Sequence, residues 1–135
     1  MCKVDKGLGR SIKPINPAKC MRRPDPQRAC SILAYGGDGD DVIFGGPTYA
    51  ADDFLDAKWI EGGAGNDTIN GLAGFDTIMG SAGNDSIDGG DDFDLIDYSA
   101  ETSSVTVNLS TGTATGSGIG SDTLFSIEIA FGGSG

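Results

Sequence analysis

Residues 62–97 read GGAGNDTIN, GLAGFDTIM, GSAGNDSID and GGDDFDLID, four nine-residue units that follow one another without a gap. Each unit opens on Gly, places Asp sixth (Asp67, Asp76, Asp85, Asp94) and places Ile eighth (Ile69, Ile78, Ile87, Ile96). An upstream copy, GGDGDDVIF at 36–44, sets Asp41 and Ile43 in the matching places. A single Gly- and Asp-rich run reads as a solvated loop. Five copies in phase, with an internal Ile row, read instead as one supersecondary unit stacked upon itself.

The unit divides into a six-residue turn, G-G-x-G-x-D, and a short strand, x-U-x. The glycines suit a turn that needs left-handed backbone, which a Cβ would resist, and they leave the carbonyls uncovered. This pattern resembles the RTX (hemolysin-type) calcium-binding repeat. The resemblance implies an all-β fold, a parallel β-roll (calcium-binding β-solenoid), in which two repeats make one coil and alternate turns stack on the same edge. Repeats 36–44, 62–70 and 80–88 would then share one edge, and an interrupted copy, 71–79 and 89–97 the other. The resemblance also implies Ca2+ as the cofactor, held by turn residues Gly37, Gly39, Asp41, Gly63, Gly65, Asp67, Gly74, Asp76, Gly83, Asp85, Gly90 and Asp94, with Asp122 in a later copy. Calcium takes about 6–8 oxygen ligands, carboxylate and carbonyl alike. One turn cannot supply them all, whereas two turns stacked at the strand spacing of about 4.8 Å can.

Side chains alternate along a strand, so the eighth position faces inward. Ile43, Ile60, Ile69, Ile78, Ile87 and Ile96 make up that row, a thin core. The net charge is −11, but it divides sharply: residues 1–34 carry +6 and residues 35–135 carry −17. So acidic a surface argues against nucleic acid or an anionic membrane as the partner of the repeats, and favours cations. A thin core and one-sided charge predict that the repeats do not fold alone, and that cation binding and folding are one event. No apolar run approaches the roughly 20 residues of a membrane span.

Residues 1–34 form a basic, Pro-containing arm without helical or alternating pattern, expected to be disordered. This arm does not read as a secretory signal peptide. Its three cysteines, Cys2, Cys20 and Cys30, form no C-x-x-C pair and read as unpaired thiols. The repeat array spans 35–97. Its second copy starts at Gly45-Gly46 but is interrupted by eight extra residues within 47–58, PTYAADDFLDAK, before Trp59-Ile60-Glu61 resumes the x-U-x strand. Insertions in repeat proteins map to loops. Asp52, Asp53 and Asp56 there are candidate spare ligands, while Tyr49, Phe54 and Trp59 are expected to cap one edge.

Residues 98–135 form a β-rich flanking segment. Val105, Val107 and Leu109 alternate as a half-buried strand, Ser110-Thr111-Gly112 is a turn, and Thr113-Ala114-Thr115 a return strand. The beat resumes at 117–125, SGIGSDTLF, with Asp122 sixth and Leu124 eighth. DYSA, VTVNLSTGTATG and DTLFSIE resemble the segment that often flanks RTX arrays in secreted bacterial proteins. Gly132-Gly133-Ser134-Gly135 opens a repeat whose Asp and Ile do not follow. The sequence thus leads us to expect an uncapped C-terminal end, belonging to a fragment or covered by self-association.

Other site chemistries do not fit. An EF-hand read from Asp38 would place Ile43 where Gly is required, and no bidentate Glu closes it. The acceptor-like Asn66-Asp67-Thr68 and Asn84-Asp85-Ser86 lie inside the metal turns, and no Gly-rich stretch carries the Lys of a phosphate loop. With no His in the chain, His-based triads are excluded. The expectation is a calcium-binding, secreted module that is not an enzyme. The alternatives are the C-terminal part of a larger secreted enzyme (a protease, lipase or epimerase), or an ice-binding or adhesin segment. An ice-binding face needs a regular outward row of Thr or Asn, and Thr68 and Thr77 fall on opposite sheets.

Overall fold

The structure, a computed structural model, describes residues 2–3, 32–45 and 57–135. Because each repeat leaves only x-U-x between turns, most strands in the array are three residues long. In chain order they are β1 (Cys2–Lys3), β2 (Ile32–Asp38), β3 (Val42–Phe44), β4 (Lys58–Ala64), β5 (Thr68–Asn70), β6 (Thr77–Met79), β7 (Ser86–Asp88) and β8 (Leu95–Asp97). The flanking segment adds β9 (Val105–Asn108), β10 (Thr113–Gly116), β11 (Gly120–Phe125) and β12 (Ile129–Phe131). The described residues form no helix, so none is long and apolar enough to cross a membrane.

Two six-stranded sheets result, ordered β1-β2-β4-β6-β8-β12 and β3-β5-β7-β11-β10-β9. From β2 to β8 the chain changes sheet at every turn, so strands two repeats apart pair in parallel. Ile43 lies opposite Ile69 and Ile69 opposite Ile87 in one sheet; Ile60 lies opposite Ile78 and Ile78 opposite Ile96 in the other. The turns of repeats 36–44, 62–70 and 80–88 therefore stack on one edge, and those of 71–79 and 89–97 on the other. Thr68 and Ser86 share a row in one sheet and Thr77 and Leu95 in the other.

The six isoleucines of the row are all 2 % exposed or less. The row is longer than the isoleucines alone. Ala34 is buried opposite Ile60, and Leu124 is buried opposite Ile87. Leu33-Ala34-Tyr35 is thus an x-U-x strand with a small residue at its centre. The first-sheet strand begins at Ile32, ahead of the boundary expected at 35, and Cys2–Lys3 pair in parallel with Ile32 and Leu33. The rest of the arm, including Cys20 and Cys30, lies outside the described residues, as do Tyr49, Phe54 and the three insertion aspartates. Trp59 corrects an expectation. It does not cap an edge but stands on the outer face of the first sheet, 43 % exposed, in register with Leu33 and Thr77.

The flanking segment closes the core at one end. β9 and β10 pair antiparallel, as do β10 and β11, while β11 returns to run parallel to β7. Tyr98, Ala114 and Ile119 are buried in the same apolar cluster as the isoleucine row, with Val105, Val107 and Ile127 packed against it. The end expected to be open is therefore covered on the second sheet by an antiparallel meander. Leu109 lies past the end of β9 and is exposed, so the alternation stops at Val107. On the first sheet, β12 pairs with β8.

The inward row and the outward rows should respond differently to truncation. Ile78→Ala removes buried methyl groups from the middle of the first sheet and should cost about 2–5 kcal/mol. Thr77→Ala, on the outer face beside it, should stay within about 0.5 kcal/mol. Denaturant unfolding of the two variants checks this, and equal losses would contradict the inward assignment of position eight.

Candidate metal centre

The expected turn glycines all adopt the backbone that only glycine takes freely. Gly37, Gly39, Gly63, Gly65, Gly74, Gly83 and Gly90 have φ between 100° and 147°. Ser81, second in its repeat, does not have a positive φ. At two other positions where the pattern departs from Gly, the turn imposes nearly the same twist: Leu72, second in its repeat, has φ 75°, and Asp92, fourth in its repeat, has φ 82°. The stacked geometry dictates this. A Cβ on Gly65 would strike the Gly39 carbonyl of the adjacent coil, and one on Gly83 would strike that of Gly65.

Those turns bring the sixth-position aspartates into two columns. On the first edge stand Asp41, Asp67, Asp85 and Asp122. The Asp41 amide donates to Asp67 Oδ1 at 2.8 Å, the Asp67 amide to Asp85 Oδ1 at 2.9 Å, and the Asp85 amide to Asp122 Oδ1 at 3.0 Å. On the second edge the Asp76 amide donates to Asp94 Oδ1 at 2.8 Å and the Asp94 amide to Glu128 Oε2 at 2.9 Å. All six aspartates are 3 % exposed or less. The fifth positions add an outer ladder of different chemistry on each edge. The Asn66 amide donates to Asp40 Oδ1 at 2.7 Å and the Asn84 amide to Asn66 Oδ1 at 2.9 Å, whereas Phe75 and Phe93 stack with centroids 6.0 Å apart.

Three members of these columns escaped the motif. Lys58 precedes Trp59-Ile60-Glu61 and so occupies the sixth position of the interrupted repeat; counting back from Ile60 would have found it. Glu128 precedes Ile129-Ala130-Phe131, which pairs with Leu95-Ile96-Asp97, and so aligns with Asp94. Its signal was hidden by the change of spacing after residue 97. Tyr98, fully buried, donates its hydroxyl to Asp122 Oδ2 at 2.7 Å, and its ring fills the space that the missing side chain of Gly80 leaves. Both oxygens of Asp122 are therefore engaged at the closed end of the first column.

So many buried carboxylates face a heavy electrostatic cost. Burial pushes Asp76 and Asp85 up from the ordinary 3.8 to about 7, although the Lys58 ammonium opposes the rise at Asp76 and the Asp67 amide opposes it at Asp85. Asp94 rises to about 6 for the same reason, against the pull of the Asp76 amide. Asp41, Asp67 and Asp122 also rise through burial. The Tyr98 hydroxyl is pushed up by burial and by its bond to Asp122, so it stays a proton donor.

The sites suit a cation that prefers oxygen. Asp41 Oδ1 and Oδ2, Asp67 Oδ2 and Asp94 Oδ2 are buried with no hydrogen-bond partner, which is costly for a carboxylate. Three first glycines, Gly36, Gly71 and Gly89, each lie beside a sixth-position carboxylate oxygen. A Cβ on Gly36 would meet both Asp41 Oδ2 and the Gly62 carbonyl oxygen; on Gly71, both Asp76 Oδ2 and the Gly89 carbonyl; on Gly89, both Asp94 Oδ2 and the Ser126 carbonyl. The absent side chain thus leaves a cradle flanked by a carboxylate of one coil and a carbonyl of the next. Among the described residues no three Asp, Glu, Cys or His side chains gather at one point. An ion here would need backbone carbonyls beside the carboxylates, a mixture that hard cations such as calcium accept.

Comparison with known proteins agrees with this chemistry. No curated protein and no solved structure matches the chain. The family model of the RTX calcium-binding nonapeptide repeat matches residues 33–47 and 61–96, in four copies, and so takes in Leu33 and Ala34 but leaves out residues 48–60. The repeats of that family bind calcium, and over those residues, fewer than half of the chain, this sequence is similar to them.

Proposed function

We propose that this protein is a calcium-dependent parallel β-roll, a binding and structural module whose repeats fold when calcium enters the turns. The observation that carries this reading is the pair of buried carboxylate columns with unpartnered oxygens facing glycine-lined cradles. Asp41, Asp67, Asp85, Asp76 and Asp94 would hold the ions. Gly37, Gly39, Gly63, Gly65, Gly74, Gly83 and Gly90 would set the turn backbone and present its carbonyls. Asp122, whose oxygens are already engaged by Asp85 and Tyr98, would end its column. The array and the flanking segment would act as one unit from Ile32 to Phe131, since Asp85 bonds to Asp122 and Asp94 to Glu128 across the boundary at 97.

Bound calcium supplies the positive charge that the buried carboxylates lack. RTX repeat proteins are typically secreted, and extracellular calcium sites work at dissociation constants of about 10⁻⁴–10⁻³ M. Sites of that strength would be filled outside a cell and empty within it, so we assign this module to the extracellular side.

Circular dichroism in a calcium titration tests the proposal. The β-signal should appear with millimolar calcium and not with magnesium, which demands a tighter octahedral shell. A full β-signal in excess chelator at pH 8 would contradict it. Asp76→Asn, in the middle of its column, should raise the calcium midpoint several-fold. An unchanged midpoint would remove Asp76 from the ligand set.

A pH dependence follows as well. The buried aspartates have folded-state pKa values above their unfolded ones, so the metal-free fold binds more protons than the unfolded chain. Its stability is therefore fullest below the ordinary value of 3.8 and is lost as pH rises towards about 7. In chelator, the β-signal should rise as pH falls from 8 to 5, whereas calcium should abolish that dependence. A chelated protein whose signal does not change over this window would contradict the burial of ionised carboxylates.

A further inference from the structure

Among the described residues, Lys58 is the one buried cation, and it stands where every other repeat has a carboxylate. The register leaves no doubt about its place: Trp59, Ile60 and Glu61 pair with Thr77, Ile78 and Met79, so Lys58 aligns with Asp76. Its amide donates to Asp76 Oδ1 at 3.0 Å, the same bond that the Asp76 amide makes to Asp94. Its side chain also follows the path of the missing carboxylate. A Cβ on Gly45, the first glycine of the interrupted repeat, would meet the Lys58 stem and the Gly71 carbonyl. One coil on, a Cβ on Gly71 would meet Asp76 Oδ2 and the Gly89 carbonyl.

The ammonium completes the picture. Nζ donates to the Ala73 carbonyl at 2.5 Å and lies 3.3 Å from Asp76 Oδ1 and 3.4 Å from Oδ2, with both side chains fully buried. These are one turn carbonyl and one sixth-position carboxylate, the donor types an ion between stacked turns would take. Asp41, Asp67 and Asp94 keep unpartnered oxygens, and Asp76 does not.

We infer that the Lys58 ammonium is a tethered cation occupying the place of a calcium ion between the interrupted repeat and repeat 71–79. This rests on the calcium reading of the other turns. Its consequence is specific. The second column binds one ion fewer than its turns would allow, and in the folded protein its upstream end is neutralised by the chain itself and not by an ion. Lys58 thereby interrupts the metal column without interrupting the sheet, since β4 pairs with both β2 and β6 and the missing positive charge is supplied by the chain itself.

The test counts ions on the full chain. Calcium bound at saturation is measured by equilibrium dialysis with atomic spectroscopy for the native protein and for Lys58→Asp, and folding is checked by the calcium-induced β-signal. Lys58→Asp should bind one more calcium ion per chain than the native protein. An unchanged count in a variant with the full β-signal overturns the inference. A native chain that binds no calcium overturns the calcium reading itself, so the two failures are distinguishable. A second measurement does not depend on the variant folding. In the calcium-saturated native chain, acylation of Lys58 by an amine-reactive reagent, read by peptide mass spectrometry, should be at least about tenfold slower than that of a free lysine peptide, since it requires local opening. Labelling at the free rate in calcium would mean that an ion has displaced the ammonium, and the inference fails.

Discussion

The structure depends on placing negative charge inside a core that is one isoleucine thick. Taking a carboxylate out of water costs several kcal/mol unless a partner compensates it. Here each sixth-position aspartate is buried, and in all but Asp41, which heads its column with both oxygens unpartnered, Oδ1 accepts the amide of the preceding turn on its own edge. That bond fixes the spacing of the turns, but it satisfies only one oxygen and leaves the charge. Whatever neutralises the columns therefore controls whether the coils can stack. Protons can do so at low pH, Lys58 does so at one point, and calcium is the ion that the repeat family binds.

Glycine makes this arrangement sterically feasible. The turn backbone runs so close to its neighbour that a Cβ on Gly36, Gly71 or Gly89, first in their repeats, on Gly63 or Gly90, second, or on Gly65 or Gly83, fourth, would strike a carbonyl of the adjacent coil. The same closeness gathers carbonyl oxygens beside the carboxylates. The positions that tolerate Leu72 and Asp92 do so with the backbone held at positive φ, which side chains other than Gly adopt at a cost of about 1–2 kcal/mol. Packing, turn conformation and ligand supply are thus one constraint rather than three. The isoleucine row adds apolar burial but follows the register that the turns set.

Much of this was legible in the sequence because the period is strict. An Asp at every sixth place and an Ile at every eighth predict strands that pair two repeats apart, and Ile69 against Ile87 and Ile78 against Ile96 fulfil that pairing. The two columns of turn aspartates follow from the same count. What escaped were positions where the residue type changes while the backbone role does not. Ala34 replaces Ile in the core row, Lys58 replaces Asp in the second column, and Glu128 reaches the place of an Asp with one more methylene. A motif defined by side chains passes over these, whereas the hydrogen-bond register finds them. Tyr98 was hidden for another reason. Its partner Asp122 is 24 residues away, and only the meander of β9, β10 and β11 brings them together.

The central claim is that cations hold the buried carboxylates, and through them the stack. Amide hydrogen exchange at Asp41, Asp67, Asp76, Asp85 and Asp94 tests it most directly, because each of these amides donates to the carboxylate of the next coil. At pH 7.5 in saturating calcium all five should be strongly protected, and on chelation they should lose that protection together. Protection that persists unchanged in chelator would show that the columns hold without metal, and would contradict the account.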